Sequence, residues 1–98
     1  MDEEEFNFKY TNLRILKSAQ EYLKSVEESP TALYPIKVPD DLLYQLVRMH
    51  GVEKTDRIIH HIFELGLSLW SEKVYREAFG SNKDLERFIE MVKRRMKD

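Results

Sequence analysis

A short segment between two prolines constrains the fold of this 98-residue chain more than any other feature. Residues 31–38, with the sequence Thr-Ala-Leu-Tyr-Pro-Ile-Lys-Val, are extended in character and lie between Pro30 and Pro39. Because proline cannot donate a backbone hydrogen bond, Pro35 restricts such a strand to the edge of a sheet. The sequence offers no second strand, so it predicts one short β-strand whose partner comes from another molecule.

The residues before this segment predict one amphipathic helix. Apolar side chains recur at intervals of three and four over residues 11–28, with Thr11 or Asn12 as the N-cap. Ser29-Pro30 ends this helix, since the residue before proline is pushed out of the helical region. Residues 2–10 show no clear period and are predicted to form a frayed or partner-dependent N-terminus.

The residues after the segment predict three further helices. The first begins at Pro39-Asp40-Asp41, where proline and two acids suit a helix N-terminus, and it closes at Gly51. Thr55 is the expected N-cap of the next helix, which continues to about Phe79. The last helix is predicted over residues 84–96, with basic residues near its C-terminal end.

The helix that follows Thr55 is apolar around most of its circumference and must therefore be buried on most sides. Its apolar residues are Ile58, Ile59, Ile62, Phe63, Leu65, Leu67, Leu69 and Trp70. A second copy of the chain would supply both a partner for the short strand and cover for this apolar helix. Residues 33–38 would pair with themselves in an antiparallel ribbon about a two-fold axis, and the apolar helix would pack against the other subunit. These two features predict a homodimer.

The order of these elements resembles the ribbon-helix-helix family of Arc and MetJ-type repressors over about residues 31–70. The matching residues are Tyr34, Ile36 and Val38 inward with Lys37 outward, then residues 39–43, Gly51, Thr55-Asp56, Ile58, Ile59, Ile62 and Phe63. The resemblance implies a mainly α fold with one short β-strand, built as a ribbon-helix-helix homodimer. The core would cover residues 31–79, with an acidic helical extension at 1–30 and a basic amphipathic helix at 80–98.

The family lays its paired ribbon in the DNA major groove, so the resemblance implies a transcriptional regulator, most simply a repressor, that binds double-stranded DNA. Lys37 matches a base-reading position and could donate to guanine acceptors. Leu33 and Pro35 stand where the family commonly has polar readers, which leaves Lys37, Thr31, thymine-methyl contacts or DNA shape to give specificity. The expected DNA-backbone contacts are Lys54, Thr55 and Arg57.

The sequence leaves two alternatives to a DNA-binding ribbon-helix-helix dimer. The first is a dimeric protein-interaction module, such as an antitoxin or a subunit of a larger complex, with the terminal helices as possible docking sites for a protein partner. The near-neutral charge of residues 31–70, with five acids and four bases, and the apolar Leu33 and Pro35 support it. The second alternative is an all-helical monomer in which residues 31–38 form a loop.

Composition and motifs argue against several other classes of protein. The chain has no cysteine, a net charge of -2 and no apolar stretch of the roughly 18 residues that a membrane span needs. We therefore expect a cytoplasmic protein without a disulfide framework. No nucleophile, phosphate-binding or metal-ligand motif is present, so we expect no enzyme activity and no cofactor. His60 and His61 are adjacent and point about 100° apart on a helix, so they do not predict a metal site with His50.

Overall fold

The computed structural model describes residues 1–24 and 30–97 and contains three helices in that part of the chain. Helix α1 spans Glu3–Lys24, helix α2 spans Asp40–Ala78 and helix α3 spans Asn82–Lys97. Within those residues there is no β-strand. The predicted short strand and the ribbon-helix-helix architecture are therefore wrong: the fold is all-helical, and residues 31–38 lie outside the helices.

The segment between α1 and α2 explains this correction. Residues 30–39 form an irregular connection in which Leu33 is 104% and Tyr34 is 85% exposed. A strand exists only through a ladder of hydrogen bonds to a neighbouring strand, and the described part of the chain supplies none. Pro35 and Pro39 also remove two donors from so short a segment. An extended composition alone does not make a strand.

Helix α1 begins eight residues before the predicted start at Thr11. The Asp2 carboxylate caps it, since Oδ1 accepts a 2.7 Å hydrogen bond from the amide of Glu5. Residues 2–10 are thus not frayed: Phe6 and Tyr10 lie on the same face as Leu13 and pack against the core. The predicted end of this helix, from residue 25 to Ser29, lies outside the described residues.

Helix α2 has a sharp irregularity at Gly51, as the sequence predicted. The backbone there has φ 81° and ψ 169°, which divides α2 into an N-terminal arm, Asp40 to His50, and a longer C-terminal arm. Thr55 lies inside the longer arm and does not cap it with its side chain. Its hydroxyl donates a 2.7 Å hydrogen bond to the carbonyl oxygen of Gly51, and the residue is 2% exposed.

A tight turn joins α2 to α3. The amides of Phe79 and Gly80 both donate to the carbonyl oxygen of Tyr75, and Gly80 takes φ 81°, a conformation that glycine adopts without strain. Ser81 then caps α3, because its Oγ accepts a 3.2 Å hydrogen bond from the amide of Asp84. The predicted break is confirmed at Gly80 and Ser81, but Asn82 already belongs to α3, which starts two residues before the predicted position.

The core lies at one end of the molecule, where α1, the end of α2 and α3 meet. Its buried members are Ala78, Phe79, Phe88 and Val92, and Phe6, Tyr10, Leu13, Leu16 and Leu85 pack around them. Phe88 is 2% exposed, and its ring centre lies 5.5 Å from that of Phe6 and 5.7 Å from that of Phe79. This core combines residues from all three of the predicted units.

An ion pair closes the same end of the molecule. The Arg95 guanidinium donates to both carboxylate oxygens of Glu3 at 2.8 and 2.9 Å, and its carbon lies 3.9 Å above the centre of the Phe6 ring. The end of α3 is therefore attached to the start of α1 by a two-point contact and a cation–π contact.

Across the described residues, no helix combines the length and the apolar character that crossing a membrane requires.

Candidate functional site

The chain exposes far more surface than a compact protein of its mass. Its accessible area is 8552 Å² for 11.8 kDa, whereas a compact monomer of this mass exposes about 5900 Å². Its radius of gyration is 17.9 Å, against about 13 Å for a compact domain of this length. The difference of about 2600 Å² is as large as the area that obligate homodimers bury.

Most of the exposed apolar side chains lie in the half of the molecule away from the core. Fourteen of the eighteen large apolar side chains that the described residues expose fall between residues 33 and 70. We call these fourteen the apolar surface: Leu33, Tyr34, Ile36, Leu42, Leu43, Tyr44, Val47, Met49, Val52, Ile62, Phe63, Leu65, Leu69 and Trp70. A concentration of this kind is typical of interaction sites.

The longer arm of α2 has two distinct sides. One side contacts α1: Tyr22 on α1 donates to or accepts from His60 Nε2 at 2.9 Å, and Val74 and Ala78 are buried. On the opposite side, Ile58, Ile62, Leu65 and Leu69 recur at intervals of four, three and four residues. We call these four the outer stripe. At about 100° per residue, it lies roughly 180° from the side that contacts α1.

The outer stripe lacks sufficient cover in the described part of the chain. Ile62, Leu65 and Leu69 are 53%, 54% and 70% exposed, although their spacing is that of a helix–helix contact. Gly66 lies four residues after Ile62 and three before Leu69, and a β-carbon built on it would meet no described atom within 4 Å. The stripe is therefore an open surface on which another helix could pack.

The first four predicted DNA-contact residues lie on the irregular connection. Thr31, Leu33, Pro35 and Lys37 are all exposed, so their side chains are free to meet a partner. Residues 31–34 and Ile36 also border a groove whose other walls include Tyr22, Ile59 and Phe63. The Tyr22 ring meets the Phe63 ring edge-on at 6.1 Å, which holds α1 against α2 beside this groove.

The three other predicted contacts lie on the longer arm of α2. Lys54 and Arg57 are exposed and three residues apart, so they share one side of the helix. Their positions fall between the outer stripe and the side that contacts α1. Thr55 differs from both, because its buried hydroxyl is already bonded to Gly51 and is not presented to a phosphate.

The basic residues of this half have no acidic partner that the structure describes. Salt bridges with side chains of the described residues occur at Lys9, Lys73, Arg76, Arg94 and Arg95, all outside residues 31–70. Lys37, Arg48, Lys54 and Arg57 form none there.

Nowhere in residues 1–24 and 30–97 do three or more histidine or carboxylate side chains come together as metal ligands.

Sequence reasoning found the apolar helix but missed the arrangement of its two sides. The spacing of Ile58, Ile62, Leu65 and Leu69 was available as a signal of a separate contact surface. The bond between Tyr22 and His60 had no such signal, because the two residues are 38 positions apart.

Comparison of the chain with protein-family models, with curated proteins and with solved structures finds no match.

Proposed function

We propose that this protein is a cytoplasmic homodimer that binds double-stranded DNA and regulates transcription. The observation that carries the proposal is the position of Lys54 and Arg57, exposed and unpaired with described carboxylates, beside an apolar stripe that needs a partner. The stripe supports the dimer, and the cations support the DNA contact.

The dimer follows from the open outer stripe. Two copies related by a two-fold axis present the same surface to each other, so one stripe covers the other. Intervals of four, three and four residues suit helices that cross at about 20°. The surplus surface of about 2600 Å² is large enough for an interface that includes both the stripe and the N-terminal arm of α2.

The DNA contact follows from what the dimer leaves in solvent. Lys54 lies about 50° around the helix from the centre of the stripe and Arg57 about 110°, so covering the stripe leaves Arg57 in solvent and Lys54 at the rim of the contact. The two-fold axis duplicates them, which gives two equivalent basic sites, as a pseudo-palindromic DNA site requires. Their role is to neutralise phosphates, while Lys37 on the exposed connection is the candidate base contact.

The test is a salt series with a labelled random-sequence duplex, followed by fluorescence anisotropy, with molar mass measured by light scattering on the same samples. We expect a dimer whose DNA affinity falls steeply with salt, because phosphate neutralisation releases counterions. Lys54→Ala and Arg57→Ala should each reduce the slope of log K against log salt by about one. Lys73→Ala is the matched control, since Lys73 lies within 4.0 Å of Glu77 on the far part of α2.

Two results would count against this function. A dimer that ignores DNA at about 50 mM salt removes DNA binding, and equal slopes for wild type and the Lys54 and Arg57 variants remove the assigned contacts. Lys37→Ala tests base reading separately: it should weaken binding to a preferred site by about 1 to 3 kcal/mol.

A protein-interaction module is the second candidate function, and the size of the apolar surface favours it. Residues 31–70 carry four bases and five acids, which is a weak charge for a nucleic-acid contact. In this case the dimer, or the single chain, covers part of the apolar surface with a different protein. Binding of that protein would depend little on salt, which separates the two functions in the same experiment.

A further inference from the structure

The N-terminal arm of α2 is a helix that its own chain leaves uncovered. The arm has eleven residues, Asp40 to His50, and none of them is buried. Its exposed large apolar side chains are Leu42, Leu43, Tyr44, Val47 and Met49. On a separate polar side, the Gln45 amide donates to the Asp41 carboxylate at 3.3 Å. Because so short a helix is marginal in water on its own, the apolar side of the arm needs a contact.

A second uncovered apolar feature lies on the longer arm of α2, beyond one edge of the outer stripe. Phe63 and Trp70 are 52% and 49% exposed, and they lie roughly 110 to 130° around the helix from the centre of the stripe. Gly66 lies between them and the stripe, and its open side leaves room for another side chain. We call Phe63, Gly66 and Trp70 the flank. The opposite edge of the stripe is polar, with Glu64 and Ser68.

The arm of the same chain is too short to cover this flank. Each helical residue adds about 1.5 Å, so the arm is about 16 Å long. Gly51, where the arm joins, lies 19 positions before Trp70, which is about 28 Å along the helix. Even if it folded back at Gly51, the arm would end before Phe63. Cover for the flank therefore comes from another chain.

We propose that the N-terminal arm of one copy packs its apolar side on the flank of a second copy, and that the two-fold axis makes this contact twice. The contact belongs to the dimer proposed above and rests on it. A standard interface has about 20 to 30 residues a side, far more than the four of the outer stripe. Every copy carries both an uncovered arm and an uncovered flank, so two copies satisfy each other.

Disulfide trapping tests the contact, because the chain has no cysteine of its own. On oxidation of the full chain, the double variant Leu43→Cys with Trp70→Cys should form a covalent dimer on a non-reducing gel, lost on reduction. The matched control is Leu43→Cys with Ser68→Cys. Ser68 is also exposed but lies on the polar edge of the stripe, so this pair should give far less covalent dimer.

Trp70 gives a second measurement that needs no new thiol, since it is the only tryptophan of the chain. In the dimer its emission should lie at shorter wavelength and resist quenching by acrylamide, because the arm keeps water away. Leu43→Lys should shift the emission to longer wavelength at the same protein concentration, since a charge on the apolar side opposes the contact. Gln45→Lys places the same charge on the polar side and should behave like wild type.

Light scattering on the same samples separates this proposal from the dimer itself. A monomeric wild type would overturn both and leave the flank to a different protein. A dimer in which the Trp70 pair traps no better than the Ser68 pair would overturn the arm contact alone. So would Leu43→Lys with the emission of wild type. A covalent dimer from Leu43→Cys alone would mean that the arms meet each other, which also contradicts the proposal.

Discussion

Gly51 and Gly66 are both inside helix α2, but their backbones place opposite demands on the side chain. Gly51 has φ 81° and ψ 169°, a region that only glycine occupies readily, and it separates the two arms of the helix. Gly66 has helical geometry and open space around it. The first glycine is required by the backbone, whereas the second lowers the helix propensity of its position.

Alanine at the two positions should therefore change stability in opposite directions. Gly51→Ala should lower the free energy of unfolding by about 1 to 3 kcal/mol, the cost of holding a side chain in that region. Gly66→Ala should raise the free energy of unfolding of the single chain by up to about 1 kcal/mol. Urea unfolding at low protein concentration measures both. Equal effects of the two substitutions would contradict the division of α2 at Gly51.

Phe88 is the most buried residue of the core. Its ring is 2% exposed and lies between Phe6 and Phe79. Phe88→Ala should cost about 3 to 5 kcal/mol, because it removes contacts and leaves a cavity. Phe8→Ala on α1 is the control, since Phe8 is 55% exposed and should cost much less. Denaturant midpoints of the two variants, compared with wild type, give the answer.

Among the helices, α1 shows how much of this fold the sequence could predict. Its apolar period from Leu13 onward was clear, but its true start depends on Asp2 as a cap and on Phe6 and Tyr10, which lie one turn apart. Both aromatic residues are visible in the sequence, yet an acidic N-terminus with no evident partner predicts a frayed segment. The contact that fixes it, Arg95 on Glu3, comes from the other end of the chain.

That contact is predicted to matter modestly for the docking of α3 on α1. Arg95→Ala should lower the free energy of unfolding by about 1 kcal/mol, since an exposed ion pair and a cation–π contact are both lost. Arg94→Ala, which loses only a 3.7 Å pair with Glu90 within α3, should cost about 0.3 to 0.5 kcal/mol. Thermal melts of both variants at low and high salt test the difference, and equal losses would contradict the docking role.

The connection between α1 and α2 marks the limit of prediction for an element. The composition of residues 31–38 correctly indicated that no helix forms there, but extended character and strand pairing are separate properties. Pairing depends on a neighbour that no local pattern contains. Helix α2 was predicted better, because Gly51 and the turn at Gly80 leave a direct trace in residue type.

At the scale of the whole molecule, the separation between the core and the apolar surface is the main feature. The core residues were partly predictable, because Leu85, Phe88 and Val92 repeat at helical spacing. The exposure of the outer stripe was not, since periodicity shows that a side of a helix is apolar without showing what covers it. The predicted site residues lie in this exposed half, and only Thr55 is buried there.

A lysine on the outer stripe should separate assembly from folding. Leu65→Lys and Leu69→Lys should each give a monomer in sedimentation velocity, because they place a charge in the proposed contact between two copies. Their helix content by circular dichroism should match wild type, since both positions are solvent-exposed in the single chain. Ser18→Lys adds the same charge on α1 and should remain dimeric. A dimer retained in both leucine variants would remove the stripe from the interface.

The placement of the core at one end separates folding from assembly in the proposed dimer. Residues that close the core come from one chain, so this step is unimolecular and its rate does not change with concentration. Covering the apolar surface with a second copy is bimolecular, and its rate falls as the protein is diluted. In the proposed dimer, newly made chains would thus pass through a folded monomer with its apolar surface exposed, and the lifetime of that monomer would depend on the concentration of the protein.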